Sequence, residues 1–338
     1  MIRASIPLLS AMLLAPVIAA GPARAQDACE GPLCGQFAAI FENDKPSGFD
    51  RDYTNGFLFA WSSPAYRPPE WLAPLTGTAL RLVVPGDDLR WGLSFGQKIY
   101  TPNDTAARNP DPSDRPYAAW LFGALPLISS NANQLSSAEL QLGVVGPAAL
   151  GEQVQNTWHD IIGVDRTFGW DYQIRNEPGV NLVLTRQLRF NWETPIEGLS
   201  VGILPTASAS LGNVHTYAGA GAMLRIGNAL DVDFGPPRVR PVSGGSVFFD
   251  RPSSGGLGWY AFVGVEGRLV ARDITLDGNT WRDSRSVERK WAVADASAGL
   301  ALMYGDARVT LTYTIRTEEF AAQEDAARFA SLSLAWTF

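Results

Sequence analysis

Several residue patterns that would settle a function early are scarce or missing. The chain carries two histidines, which excludes a multi-histidine zinc site. It carries two cysteines, Cys29 and Cys34, too few for a disulfide-rich scaffold. Neither cysteine has a histidine or basic neighbour in sequence that would make it a catalytic thiolate. The Gly-x-Ser-x-Gly string Gly92-Leu93-Ser94-Phe95-Gly96 falls inside a strand-like alternating segment and not at a strand-to-helix elbow, and no EF-hand spacing occurs. Basic residues do not dominate: 27 Lys+Arg stand against 34 Asp+Glu, a formal net charge of −7, and an acidic balance argues against a nucleic-acid partner. Beyond the first 25 residues no apolar run reaches the roughly eighteen residues that read as a membrane-spanning helix.

What is present begins with a secretory signal. Arg3 precedes an apolar stretch over 6–20, and Ala23-Arg24-Ala25 is a small-x-small cleavage site, so residues 1–25 read as a signal peptide and 26–338 as a single mature domain. Losing Arg3 and Arg24 moves the formal charge to about −9. In the oxidising compartment this implies, Cys29 and Cys34 form either a small local disulfide, which we favour, or remain free thiols.

The mature chain is rich in Gly, aromatic residues, Thr and Ser, and shows period-two alternation in segment after segment. The segments are 36–43, 54–63, 89–100, 116–127, 136–146, 176–188, 199–212, 216–228, 257–269, 290–304, 307–316 and 328–338. About twelve alternating strands, ending on an aromatic-terminated strand at Phe338, predict an all-β fold: a transmembrane antiparallel β-barrel with both termini on the periplasmic side. Trp61, Trp91, Trp120, Trp170, Trp259, Trp291 and Trp336 are candidates for interfacial girdles. If the first strand runs outward, the loops 44–53, 101–115 and 147–175 are all extracellular. The segments 64–88 and 229–256 then fall on the periplasmic side, where they are long for turns.

The chemistry-bearing stretch is 41–56. It sets Asn43-Asp44 at the end of one strand and Asp52-Tyr53-Thr54 at the start of the next, so a hairpin gathers two carboxylates, an amide and a hydroxyl at one rim. One short helix is predicted over 151–163 in an extracellular loop, with Val154, Trp158, Ile161 and Ile162 on its packing face and Glu152, Gln155 and His159 on the other. His159 suits a general base and a bound cation would suit oxyanion stabilisation. His215, in a short turn, reads as structural. Oxygen donors in or beside the outer loops (Asn43, Asp44, Asp50, Asp52, Asp104, Asp111, Asp114, Glu152, Asp165) suit calcium, or simply solvate an acidic surface. With no serine presented beside His159, activated water is the simpler nucleophile.

These residues resemble the lipid A 3'-O-deacylase family of outer-membrane barrel enzymes over most of the mature chain. The likeness rests on Phe41-Glu42-Asn43-Asp44, Asp52-Tyr53-Thr54-Asn55-Gly56, Gln97-Lys98-Ile99-Tyr100-Thr101-Pro102, Asp114-Arg115-Pro116-Tyr117-Ala118 and Gly143-Val144-Val145-Gly146-Pro147. It continues through Gly151-Glu152 and His159 to Gly169-Trp170 and Asn176-Glu177-Pro178. The resemblance implies a twelve-stranded barrel in the bacterial outer membrane and a calcium-dependent site at its outer rim. The implied reaction is hydrolytic removal of the 3'-linked acyloxyacyl group of lipid A. By position it makes His159 the general base and Asn43, Asp44 and Thr54 the polar site residues, with Asp44 supporting calcium and the oxyanion. Asp165 stands where the family has an acid after the histidine, as a further metal ligand. Arg115 reads as a loop clamp, or as a contact to a lipid phosphate. The expected partners are lipopolysaccharide and the outer membrane, and the expected state is a monomer. Two rivals are an outer-membrane phospholipase with a serine nucleophile and a non-enzymatic pore or structural barrel.

Overall fold

Residues 307–316 show the rule by which this chain folds. Val309, Leu311, Tyr313 and Ile315 are exposed while Arg308, Thr310, Thr312, Thr314 and Arg316 between them are buried. A strand that turns its apolar residues outward and its polar ones inward belongs to a wall with hydrocarbon outside and a polar interior.

The computed structural model describes residues 35–45, 51–64, 84, 89–237, 247–252 and 255–338. The predicted signal sequence, the Cys29 and Cys34 pair and most of the segment 64–88 lie outside the described residues. The strands are β1 (Gln36–Asn43), β2 (Asp52–Ser62), β3 (Leu89–Thr101), β4 (Ala118–Ser130), β5 (Gln134–Val145), β6 (Glu177–Leu188), β7 (Phe190–Glu193), β8 (Ser200–Gly212), β9 (His215–Gly227), β10 (Gly258–Asp273), β11 (Ala292–Tyr304), β12 (Ala307–Arg316) and β13 (Ala327–Thr337). Each pairs antiparallel with its neighbours, and the ring closes at β1–β13. The twelve expected strands are all present. The unexpected β7 is a short continuation past β6: Asn181–Gln187 of β6 pair with Gly212–Thr206 of β8, and Phe190–Glu193 pair with Ile203–Ser200 of the same strand. Twelve strands therefore close the barrel, with β7 as an extra segment. No described helix is long and apolar enough to cross a membrane.

Gln36 pairs with Thr337, so both ends of the barrel sequence lie at one rim. Residues 44, 45 and 51 and the loops 102–117 and 146–176 lie at the opposite, far rim. Trp61 and Trp91 meet edge-to-face at 5.0 Å near the terminal rim, and Trp336 is exposed there, as a girdle requires. Trp120 and Trp170 are corrections to that expectation. Both are buried, Trp120 in the interior beside Phe122 and Trp170 against Tyr117.

Buried clusters occupy part of the interior. The long connection after β9 is not an external turn, because its residues Leu230, Val232, Phe234, Phe248 and Phe249 are buried against wall residues such as Tyr260 and Phe262. Asp233 anchors it: its carboxylate meets Arg225 at 3.0 Å, Arg308 at 2.8 Å and the Tyr260 hydroxyl at 2.8 Å. A charge removed from water needs such partners, which fixes the segment in place. Of the extra length suspected in 229–256, the stretches 229–234 and 247–249 are therefore packed against the inside of the barrel.

Candidate active site at the rim of the barrel

At the far end of β1 the Asn43 amide and the Asp44 main-chain N–H both donate to the Thr54 carbonyl, at 3.1 and 3.3 Å. Asn43 Oδ1 accepts from the Lys45 N–H at 2.9 Å, and Asp44 Oδ2 accepts from the Arg51 N–H at 2.6 Å. Asn43 and Asp44 thus close the hairpin with their own side chains, as short polar side chains do in turns. Asp44 is buried.

Thr54 sits in a β-bulge. Tyr53 pairs with Tyr100 and Asn55 with Ile99, leaving Thr54 as the extra residue. Tyr53 and Tyr100 face the interior, in a cluster with Trp120, Phe122 and Phe329. Thr54 turns instead to Thr101, with the two hydroxyls 2.6 Å apart. Thr101 belongs to the series Leu93, Phe95, Gln97, Ile99, of which Leu93 and Phe95 are exposed on the outside of the wall. The bulge therefore directs Thr54 outward, a re-aiming that regular alternation would forbid.

The outer face at this end does not stay bare. Ile99, Tyr117 and Ala119 on the wall are buried together with Ala149 and Trp170 of the 146–176 loop. Gln97 Nε2 donates to the Ala149 carbonyl. Helix α1 (Gly151–Ile162) begins there, and Gly151 is needed: a Cβ would lie 2.6 Å from that of Ala119 and 2.9 Å from the Trp170 ring. The helix lies in the predicted place, and its packing side matches the predicted one only in part: Val154 packs against the same buried cluster and Trp158 is half-buried, but Gln155 and His159 lie inward as well. Gly151, Gln155 and His159 are buried at intervals of four, whereas Ile161 and Ile162 are exposed.

His159 is held at both ring nitrogens. Nδ1 contacts the main-chain carbonyl of Asp165, and Nε2 lies 2.8 Å from Gln155 Nε2. A carbonyl can only accept, so in the neutral ring Nδ1 carries the proton and Nε2 keeps its lone pair. The chain is turned back to make this contact. Gly163 adopts a left-handed conformation at φ 71°, Arg166 forks onto both oxygens of Asp160 at 2.9 and 2.6 Å, and Asn156 Oδ1 accepts from the Thr167 N–H and hydroxyl. Arg166 holds the Asp160 carboxyl below the ordinary carboxylate range, which makes it a poor base beside His159.

The structure thus places Asn43, Asp44 and Thr54 on the first hairpin, with Thr54 reaching Thr101 on the outside of β3. His159 stands on the helix that covers the outside of β3 and β4. Asp165 reaches His159 through its main chain, and its side chain is exposed. No group of three or more His, Cys, Asp or Glu side chains able to hold a metal ion occurs among the described residues. Sequence reading set Gln155 on the face of His159 and Thr101 within a motif shared with the family, but gave neither a role as a partner of His159 or Thr54. His215 opens β9, is buried, and lies 3.6 Å from Asp273. Arg115 is fully buried against Glu319, so of its two readings the clamp holds.

The chain as a whole is matched by known proteins. The family model described as outer membrane protein LpxR aligns with residues 8–338. The chain belongs to the LpxR family. LpxR from Salmonella typhimurium superposes with a TM-score of 0.70 at 25% identity, over 90% of this chain and 100% of that one. The β domain of the Bordetella autotransporter BrkA covers 90% of this chain and 100% of its own at 10% identity, with a TM-score of 0.43. No curated protein sequence matches the chain significantly. Membership of the LpxR family makes this an outer-membrane lipid A deacylase.

Proposed function

We propose that this enzyme hydrolyses the ester that carries the 3'-linked acyloxyacyl chain of lipid A, with His159 as general base toward water. One observation carries the reading: a buried histidine with an oriented lone pair sits on the outside of the barrel wall, where a lipid arrives sideways from the leaflet. His159 Nε2 accepts from the Gln155 amide at rest, and with water in place of that donor it takes a proton from the water as the oxygen attacks the ester carbonyl. Collapse of the tetrahedral intermediate breaks the bond to the sugar oxygen, and the proton passes to that oxygen. The products are a free 3'-hydroxyl and a fatty acid. Asn43 and Thr54 supply polar groups toward the oxyanion.

The donor set of Asn43, Asp44 and Thr54 is all oxygen and amide, which fits a hard cation such as calcium in kind. Asp44 and Asp165 are the carboxylates proposed to hold it. When bound, the ion would polarise the ester carbonyl as a Lewis acid.

The test uses the purified protein in detergent with hexa-acylated lipid A, with calcium or with a chelator, products read by mass spectrometry. Loss of the 3'-linked chain that needs both calcium and His159 supports the reading; unchanged lipid A in the presence of calcium overturns it. A serine-reactive fluorophosphonate separates the phospholipase alternative, because only a serine nucleophile would be labelled.

A further inference from the structure

Thr54 faces outward only because of its bulge, and what holds that bulge lies on the other side of the wall. Asp52, two residues earlier, has a left-handed backbone at φ 68°, a conformation that L side chains rarely adopt and that persists where neighbours fix it. Its carboxylate faces Arg115, with Asp52 Oδ1 3.8 Å from Arg115 Nη1. The Arg115 side chain has no exposure. Its guanidinium lies 4.7 Å above the Tyr100 ring, and Tyr100 is the register partner of Tyr53 at 5.5 Å. One arginine therefore touches both the residue before the bulge and the partner of the residue next to it.

The same arginine is tied to the last far-rim loop. Arg115 Nη1 lies 3.3 Å from Glu319 Oε2, and Nη2 donates to the Thr275 hydroxyl at 3.3 Å. Glu319 is held in turn by Arg316 at 3.0 Å, and Arg316 by Asp295 at 2.8 Å. A second tie reaches the hairpin from the same loop, since Arg51, whose N–H closes onto Asp44, pairs with Asp325 at 2.7 Å. The first hairpin is thus gripped by residues 319 and 325, once through the interior and once over the rim.

We propose that Arg115 is a positioning residue for the outer-face site: from inside the barrel, through Asp52 and the Tyr53–Tyr100 pair, it fixes the bulge that presents Thr54, using Glu319 as its anchor. This rests on Thr54 belonging to the site as described above. A buried arginine with carboxylates on both sides is closed to a lipid phosphate, so its influence on the reaction passes through Thr54.

The test is a double-mutant cycle on detergent-purified protein with lipid A, in which Arg115→Ala, Thr54→Ala, the double variant and Arg115→Lys are compared for kcat and KM. Folding is checked by heat-modifiable gel migration. Arg115→Ala is expected to lower kcat by roughly tenfold to a hundredfold with KM within about twofold, and Arg115→Lys to recover part of the loss. The double variant should be no worse than Thr54→Ala alone within about twofold, since the two changes act on one element. Wild-type kcat in Arg115→Ala, or a double variant that loses the product of the two single effects, overturns the proposal. Should Arg115→Ala fail to fold, Asp52→Asn removes the same pair from the other partner and enters the same cycle. Full activity in Thr54→Ala would sink the site reading itself, whereas an inactive Thr54→Ala beside a normal Arg115→Ala sinks only the positioning role.

Discussion

His159 is fixed by the main chain of Asp165, not by its carboxylate: the imidazole Nδ1 contacts the carbonyl six residues ahead, while the Asp165 side chain is exposed. The tautomer needed for a base at Nε2 is thus set by backbone geometry. His159→Ala should lower kcat on lipid A by about 10²- to 10⁴-fold, the range of a positioned base, while the barrel stays folded. A loss below threefold would remove His159 from the mechanism.

Asp165→Ala keeps that carbonyl and should leave His159 oriented. If the carboxylate serves calcium, the variant will need more calcium for half-maximal activity and approach wild-type rates at saturation. Titrating calcium against rate decides it, and an unchanged requirement would leave Asp44 as the sole carboxylate of the proposed ion site.

Gly151 lets the loop helix approach the wall. In Gly151→Val the new side chain would meet Ala119 and Trp170, costing about 1–3 kcal/mol of helix docking. The expected result is a folded barrel with faster proteolysis within 146–176 and reduced deacylation. Unchanged proteolysis and activity would mean that the wall yields to accommodate it.

Asp233 holds the inner segment between Arg225 and Arg308 with no exposure of any of the three side chains. The wild-type protein should therefore be silent in planar bilayers. Asp233→Ala leaves two buried arginines without their shared acid, a change of the kind that costs about 3–5 kcal/mol, and should bring conductance steps. Steady conductance from the wild-type protein would revive the pore reading.

The sequence alone determined the wall. Period-two alternation is a local property, and every one of the twelve strands was legible from it, as were the hairpin carrying Asn43, Asp44 and Thr54 and the helix carrying His159. The short β7 was missed because four residues carry too little pattern to stand apart from β6. Tertiary structure decided which side each site residue faces. Alternation specifies two faces but cannot register a bulge, so Thr54 could be placed outside only by its pairing across to β3. The helix was correctly placed and its facing read only in part: Val154 packs on the wall, while Gln155 and His159 turn inward and Ile161 and Ile162 outward, because an apolar residue need not seek the core where the surroundings are not water. Arg115, Glu319 and Asp52 are far apart in the chain, and only closure of the barrel brings their charges together in an interior where each must find a partner.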